Sequence, residues 1–150
     1  MTTGSASTIH ASAVLVGAKA ALIRGPAGAG KSRLVWDIIT ARGALPFARL
    51  VADDRAYVAN AAGRLLVRPA PALAGMIEIR GLGIRRIEFE PVAVVGLVVD
   101  LAAHDAERYP GADATEVDIA GVALPRLAVA GDQAPLPLLL ASLQNLPTGD

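Results

Sequence analysis

Apolar residues fall along this chain in short runs separated by Gly, Pro and Asp, and the runs show two periods. Ala20 to Arg24 is apolar until it stops at Gly25, which predicts a buried strand. From Ser32 to Arg42, Leu34, Val35, Ile38 and Ile39 recur at the spacing of one helix face, and Arg42 and Gly43 mark the end of that helix. Arg49 to Asp53 reads as a short strand. Ala56–Ala59 and Leu65–Arg68 read as a hairpin turning across residues 60–64 at Gly63. Gly75 to Arg80 alternates as a strand does and runs into the tight loop Gly81-Leu82-Gly83. Ala93 to Leu101 is strongly β-branched and is the predicted central strand. Residues 102–114 are polar and turn-rich. Glu116–Ile119 and Val122–Leu124 flank Ala120-Gly121 as a second hairpin. A last helix is predicted over Leu136–Leu146, begun by Pro135 and Pro137 and ended by Pro147. Residues 1–8 are small and polar and read as a loose tail, residues 9–147 as one domain, and residues 148–150 as a C-terminal tail. This order of elements predicts an α/β or α+β fold with a mixed sheet.

Composition narrows the picture. A chain of 150 residues suits one domain, and 53% hydrophobic residues exclude global disorder. Fourteen basic and fourteen acidic side chains give a net charge of zero, which argues against a general nucleic-acid binder. The lack of cysteine excludes a disulfide scaffold, a thiol catalyst and cysteine-ligated metal, and two histidines alone make no zinc site. Residues 1–9 lack the features of a signal peptide, and the longest apolar stretch, Val92–Leu101, is half of what a membrane span needs. The chain reads as soluble and intracellular. Only Lys19 and Lys31 stand against twelve arginines. A lysine kept in that background marks a position where arginine would not serve.

Lys31 belongs to the most informative stretch. Gly25-Pro26-Ala27-Gly28-Ala29-Gly30-Lys31-Ser32 fills the pattern G-x-x-x-x-G-K-[ST] between a predicted strand and a predicted helix. Glycines let backbone N–H groups turn inward around phosphate oxygens, and the helix N-terminus adds its positive end. Lys31 supplies a point charge to the outer phosphates and Ser32 a hydroxyl ligand for Mg²⁺. The stretch predicts nucleotide or polyphosphate binding.

A phosphate loop needs a partner acid at a nearby strand end, and two positions compete. Asp53 and Asp54 end one strand; Asp100 ends the β-branched one and by pattern is the better ordinary Walker B acid. Adjacent carboxylates at a strand end point to opposite sides, so one can face a site and the other a structural partner. Glu78, in Met76-Ile77-Glu78-Ile79-Arg80, reads first as the solvent face of a strand. His10 alone reads as a structural or surface histidine. Arg80, Arg85 and Arg86 around Gly81 and Gly83 form either a solvated face or an anion clamp.

Taken together, Ser7–Ala11, Gly25–Ser32, Leu50–Arg55 and Ile77–Ile84, with its Glu-Ile-Arg-Gly-Leu-Gly-Ile core, resemble in order the catalytic domain of bacterial HPr kinase/phosphorylase. The chain looks like the short form found in some proteobacteria. The resemblance implies an ATP- and Mg²⁺-dependent kinase that phosphorylates a serine of HPr, the phosphocarrier of the sugar phosphotransferase system. It also implies a reverse reaction in which inorganic phosphate attacks phosphoserine and releases pyrophosphate. The implied fold is like that of phosphoenolpyruvate carboxykinase, a mixed sheet with flanking helices and a phosphate loop. Carried over, Asp54 is the base, His10 lies beside it, Lys31 holds the β- and γ-phosphates, Ser32 and Glu78 coordinate Mg²⁺, and Arg108 matches a catalytic arginine. On this resemblance Asp53 and Asp54 are the site acids and Asp100 a strand-end residue. A cytoplasmic homo-oligomer, a hexamer in the family, is implied as well. The long form's arginine-bearing loop, tied to dephosphorylation, has no clear counterpart: Arg126 is near, but Val129–Gln133 holds no basic residue. The reverse reaction is therefore expected to be weak. Two other readings remain, a small-molecule kinase or nucleotidase using Asp100, and a nucleotide-binding sensor without catalysis.

Overall fold

The computed structural model describes residues 7–144 other than 42, 44 and 46. Along them the chain runs β1 (Ser7–Ile9), β2 (Ala11–Val16), β3 (Lys19–Arg24), α1 (Lys31–Thr40), β4 (Ala48–Ala52), β5 (Ala56–Ala61), β6 (Arg64–Pro69), β7 (Met76–Ile79), β8 (Gly83–Arg86), β9 (Ala93–Asp100), β10 (Glu116–Ile119), β11 (Val122–Ala128) and α2 (Pro135–Gln144). Among these residues no helix is long and apolar enough to cross a membrane.

The β-branched run does become the central strand. One edge of β9 pairs in parallel with β3 from Val95 to Asp100. Its other edge is shared: β6 pairs antiparallel at Ala93 and Val94, and β11 pairs in parallel at Val98 to Asp100. The main sheet runs β1-β5-β6-β9-β3-β2-β4, with β11 and then β10 branching from β9. The fold is thus mixed α/β, with a mixed sheet as the order of elements predicts.

Alternation along β3 shows why its sequence is apolar throughout. Leu22 packs into one cluster with Val51, Val58, Leu65 and Val98. Ile23, next along the strand, packs into another with Leu34, Val35, Ile38 and Leu139. Both faces of the strand are therefore covered. Each such fully buried aliphatic side chain contributes on the order of 1.5–3 kcal/mol. The helical stripe Leu34, Val35 and Ile38 of α1 and Leu139 of α2 join the same cluster, so both helices lie on one face.

Several boundaries differ from expectation. Ser7 and Thr8, expected in the loose tail, lie in β1, which pairs with β5; the rest of that tail lies outside the described residues. β2 was not foreseen. Its first three residues are small, but they are wholly buried because β2 is held between β3 and β4. The loop Gly81-Leu82-Gly83 is the turn of a two-stranded sheet formed by β7 and β8. β11 runs past Pro125 to Ala128 because Arg126 to Ala128 gain β9 as a partner. Arg42 at the predicted end of the first helix, the end of the predicted last helix beyond Gln144 and the tail 148–150 lie outside the described residues.

Candidate functional site

The site is built at the carboxyl end of β3. The glycine-rich loop leaves β3 at Gly25, where backbone approaches closely: a Cβ there would lie 3.2 Å from the Leu101 carbonyl oxygen and 3.2 Å from Ala29 Cβ. Gly30 caps α1 in the left-handed region, φ 97°, which favours glycine. No side chain caps that end and no acid sits in its first turn, so its N–H groups and dipole remain available to an anion. Lys31 is buried, and its Nζ donates to the carbonyl oxygens of Gly25, at 2.8 Å, and Pro26, at 3.3 Å. No carboxylate among the described residues pairs with it. A buried ammonium held only by carbonyl dipoles suits a site for negative charge.

The two acids of β4's end do point apart. Asp53 faces inward. Its Oδ1 accepts from Ser32 Oγ at 2.6 Å and from Ser12 Oγ at 2.9 Å, and its Oδ2 accepts from the Glu78 backbone N–H at 3.0 Å. One carboxylate thereby ties together β2, α1 and β7. Asp54 takes a left-handed backbone, φ 65°, which is strained for a residue with a Cβ, though Asp tolerates it better than most. Its carboxylate is largely exposed, 3.6 Å from His10 Nδ1. Ser12 was missed by sequence reasoning. It is fully buried, and its Oγ both donates to Asp53 and accepts the Asp54 N–H, so it fixes the turn that sends the two acids to opposite sides. The available signal was a lone hydroxyl in an otherwise apolar strand.

The Glu78 side chain is exposed on β7, beside the backbone N–H that Asp53 holds. Arg80 follows β7, Arg85 and Arg86 lie on the fully exposed β8, and Gly81 and Gly83 bound the turn. No ion pair joins these arginines to a carboxylate among the described residues. Arg108 lies on the loop after β9, its guanidinium 5.5 Å from the centre of the Tyr109 ring.

Asp100, the rival acid, is committed elsewhere. Arg24 donates to both its oxygens, at 2.7 and 2.8 Å, and Arg126 Nε donates to Oδ2 at 2.6 Å. Arg126 also forks onto Asp105 at 2.8 and 2.9 Å, which fastens the loop after β9 to β11. Burial opposes ionisation of Asp100, but the hydrogen bonds and charges of Arg24 and Arg126 outweigh it and hold its carboxyl below the usual range. Asp105 is held low by the Arg126 hydrogen bond. A depressed carboxyl stabilises the fold above its unfolded pKa, and this contribution is lost as pH falls through the folded pKa. Arg126→Ala is expected to cost about 3 kcal/mol near pH 7, read by chemical denaturation. The difference from the parent should shrink as pH falls below about 4. An equal difference at both pH values would show that the network does not act through charge.

Comparison with known proteins finds similarity in sequence and, for one solved structure, in fold. The profile of the HPr Serine kinase C-terminal domain family matches residues 2–130. An HPr kinase/phosphorylase of Streptococcus pneumoniae (strain Hungary19A-6) is 34% identical over 119 residues, covering 72% of this chain and 37% of that protein. One of Mycoplasma mycoides is 35% identical over 75 residues, half of this chain and 22% of the relative. The chain thus spans little more than a third, at most, of the length of these two relatives. The solved Hpr(Ser) kinase/phosphatase of Coxiella burnetii superposes with a TM-score of 0.70 at 26% identity, over 91% of this chain and 93% of that one.

Proposed function

The chain belongs to the HPr Serine kinase C-terminal domain family, and on that premise we propose that it is an ATP- and Mg²⁺-dependent protein-serine kinase acting on HPr. In this reading Gly25–Ser32 is a phosphate loop and the fold is of the phosphoenolpyruvate carboxykinase-like kind. The observation that carries it is the split pair of acids: Asp53 bound to the Ser32 hydroxyl, and Asp54 turned out beside His10. A site for phosphoryl transfer to a hydroxyl needs both, an oxygen donor near the phosphates and a base open to the incoming substrate.

The residues fit both groups. The N–H groups at the start of α1, which no side chain caps, and a buried Lys31 held by carbonyl oxygens suit the phosphates. Among the described residues no three His, Cys, Asp or Glu converge on a metal site. Mg²⁺ needs few protein oxygens beside substrate phosphates and waters. Ser32 and Glu78 would hold it, with Asp53 orienting the Ser32 hydroxyl. When bound, the ion neutralises charge on the phosphate oxygens. Asp54 accepts the serine proton in the forward direction and returns it in the reverse. His10 faces Asp54, its Nδ1 3.6 Å from the carboxylate. Lys31 leaves its carbonyl partners for the β- and γ-phosphates. Arg80, Arg85, Arg86 and Arg108 are the cations open to developing charge. Glu78→Gln is expected to raise the Mg²⁺ concentration for half-maximal activity several-fold without altering the unfolding curve, since that side chain is exposed. A Mg²⁺ titration like the parent's would leave Glu78 as a solvated strand residue.

Reversal brings phosphate against phosphoserine, anion against anion, and needs cations to offset it. Arg126 is already spent on Asp100 and Asp105, and residues 129–133 add only Asp132. With one enzyme batch, phosphorylation of HPr by ATP should therefore outpace pyrophosphate release from phosphoserine-HPr at millimolar phosphate. A reverse rate equal to the forward one would overturn the argument from missing cations, and no forward product would overturn the kinase itself.

A further inference from the structure

We infer that the cleft beside the glycine-rich loop is the seat of the donor's nucleoside, and that Gln133 reads its base. This rests on the kinase reading above and adds the part of the site that handles the base. β3, β9 and β11 are neighbouring parallel strands, so their carboxyl ends lie together. In α/β sheets that end is where ligands bind. The glycine-rich loop follows β3; Leu101 and Ala102 follow β9; Val129 to Gln133 follow β11. These segments line an open cleft of about 310 Å³, with residues 26–29, Leu101, Ala102, Val129 and Gln133 among its lining. That volume is at the lower end of the roughly 300–1,000 Å³ typical of small-molecule sites. Phosphates gathered at the start of α1 leave the nucleoside to extend along the loop, and this cleft borders the loop.

The lining defines the ligand class. The walls are small and aliphatic, with no charged or aromatic side chain, so a flat apolar group fits without stacking or ion pairing. Gln133 is exposed at the cleft and offers both a donor and an acceptor. A purine edge presents the complementary pair. An amide that can present its two atoms either way discriminates weakly between adenine and guanine.

Two substitutions separate the cleft from the phosphate loop. Gly131 lies outside the left-handed region, and a Cβ there would meet Ala102 Cα at 4.0 Å, an ordinary contact. Gly131→Leu therefore fills the cleft without straining the backbone. Calorimetric titration with ADP and with pyrophosphate, both with Mg²⁺, is made on the parent, Gly131→Leu and Gln133→Ala. Gly131→Leu should weaken ADP by about tenfold or more and leave pyrophosphate within about twofold. Gln133→Ala, at an exposed position that leaves folding intact, should weaken ADP about fivefold, the loss of one neutral hydrogen bond. Unchanged ADP binding in both variants, or pyrophosphate weakening in step with ADP, would overturn the assignment. A parent that fails to bind pyrophosphate would instead overturn the phosphate-loop reading, and this inference with it.

Discussion

Asp54→Asn is expected to slow phosphorylation of HPr by roughly 10²–10⁴-fold, the usual cost of deleting a general base. The substitution keeps the shape of the side chain and removes its ability to take the serine proton. Among the described residues Asp54 makes no hydrogen bond or ion pair with Lys31 or Ser32; His10 lies 3.6 Å away, and Ser12 accepts from its backbone N–H. ATP affinity should therefore be close to the parent's, and the loss should fall on turnover. Asn also tolerates a left-handed backbone, so the fold should survive. Asp100→Asn is the informative companion. It disrupts a site held by two arginines and should lower stability, with turnover retained at temperatures where the variant is folded. If turnover is instead abolished by Asp100→Asn and spared by Asp54→Asn, the protein works as an ordinary phosphate-loop enzyme with Asp100 as its acid.

Lys31→Ala is expected to weaken ATP by roughly 10- to 150-fold, the 1.5–3 kcal/mol of a charge-assisted hydrogen bond. Stability should change little, because the ammonium is buried on two carbonyl oxygens and its removal also removes a desolvated charge. Lys31→Arg should not restore binding. A planar guanidinium cannot occupy the compact position that one ammonium takes between Gly25 and Pro26, which accounts for a lysine in so arginine-rich a chain. Calorimetry showing parental ATP affinity in Lys31→Ala would sink the phosphate-loop assignment.

What could be read from the sequence was whatever a short window contains. The central strand, the strand before Gly25, the helix after it and both predicted hairpins depend on local periodicity, and all five are present. β2 escaped because Ala11, Ser12 and Ala13 carry little hydrophobic weight; their burial comes from close approach of β3 and β4. Ser12 gains meaning only through Asp53, 41 residues away. Likewise Asp100 looks like a free strand-end acid until Arg24, 76 residues distant, and Arg126, 26 distant, close on it. The stretch Gly25 to Ser32 was legible as a glycine-rich turn between strand and helix because all three fall within one short window. The cleft beside them was not, since three separate strand ends make it.

The kinase account is tested most directly with purified HPr from the same organism, γ-labelled ATP and Mg²⁺, followed by identification of the modified residue. It predicts label on a serine of HPr with the parent protein and a loss of roughly 10²–10⁴-fold in rate with Asp54→Asn. ATP bound by the loop with no phosphoserine formed on HPr would contradict it, and would leave a nucleotide-binding protein that does not transfer phosphate to this acceptor.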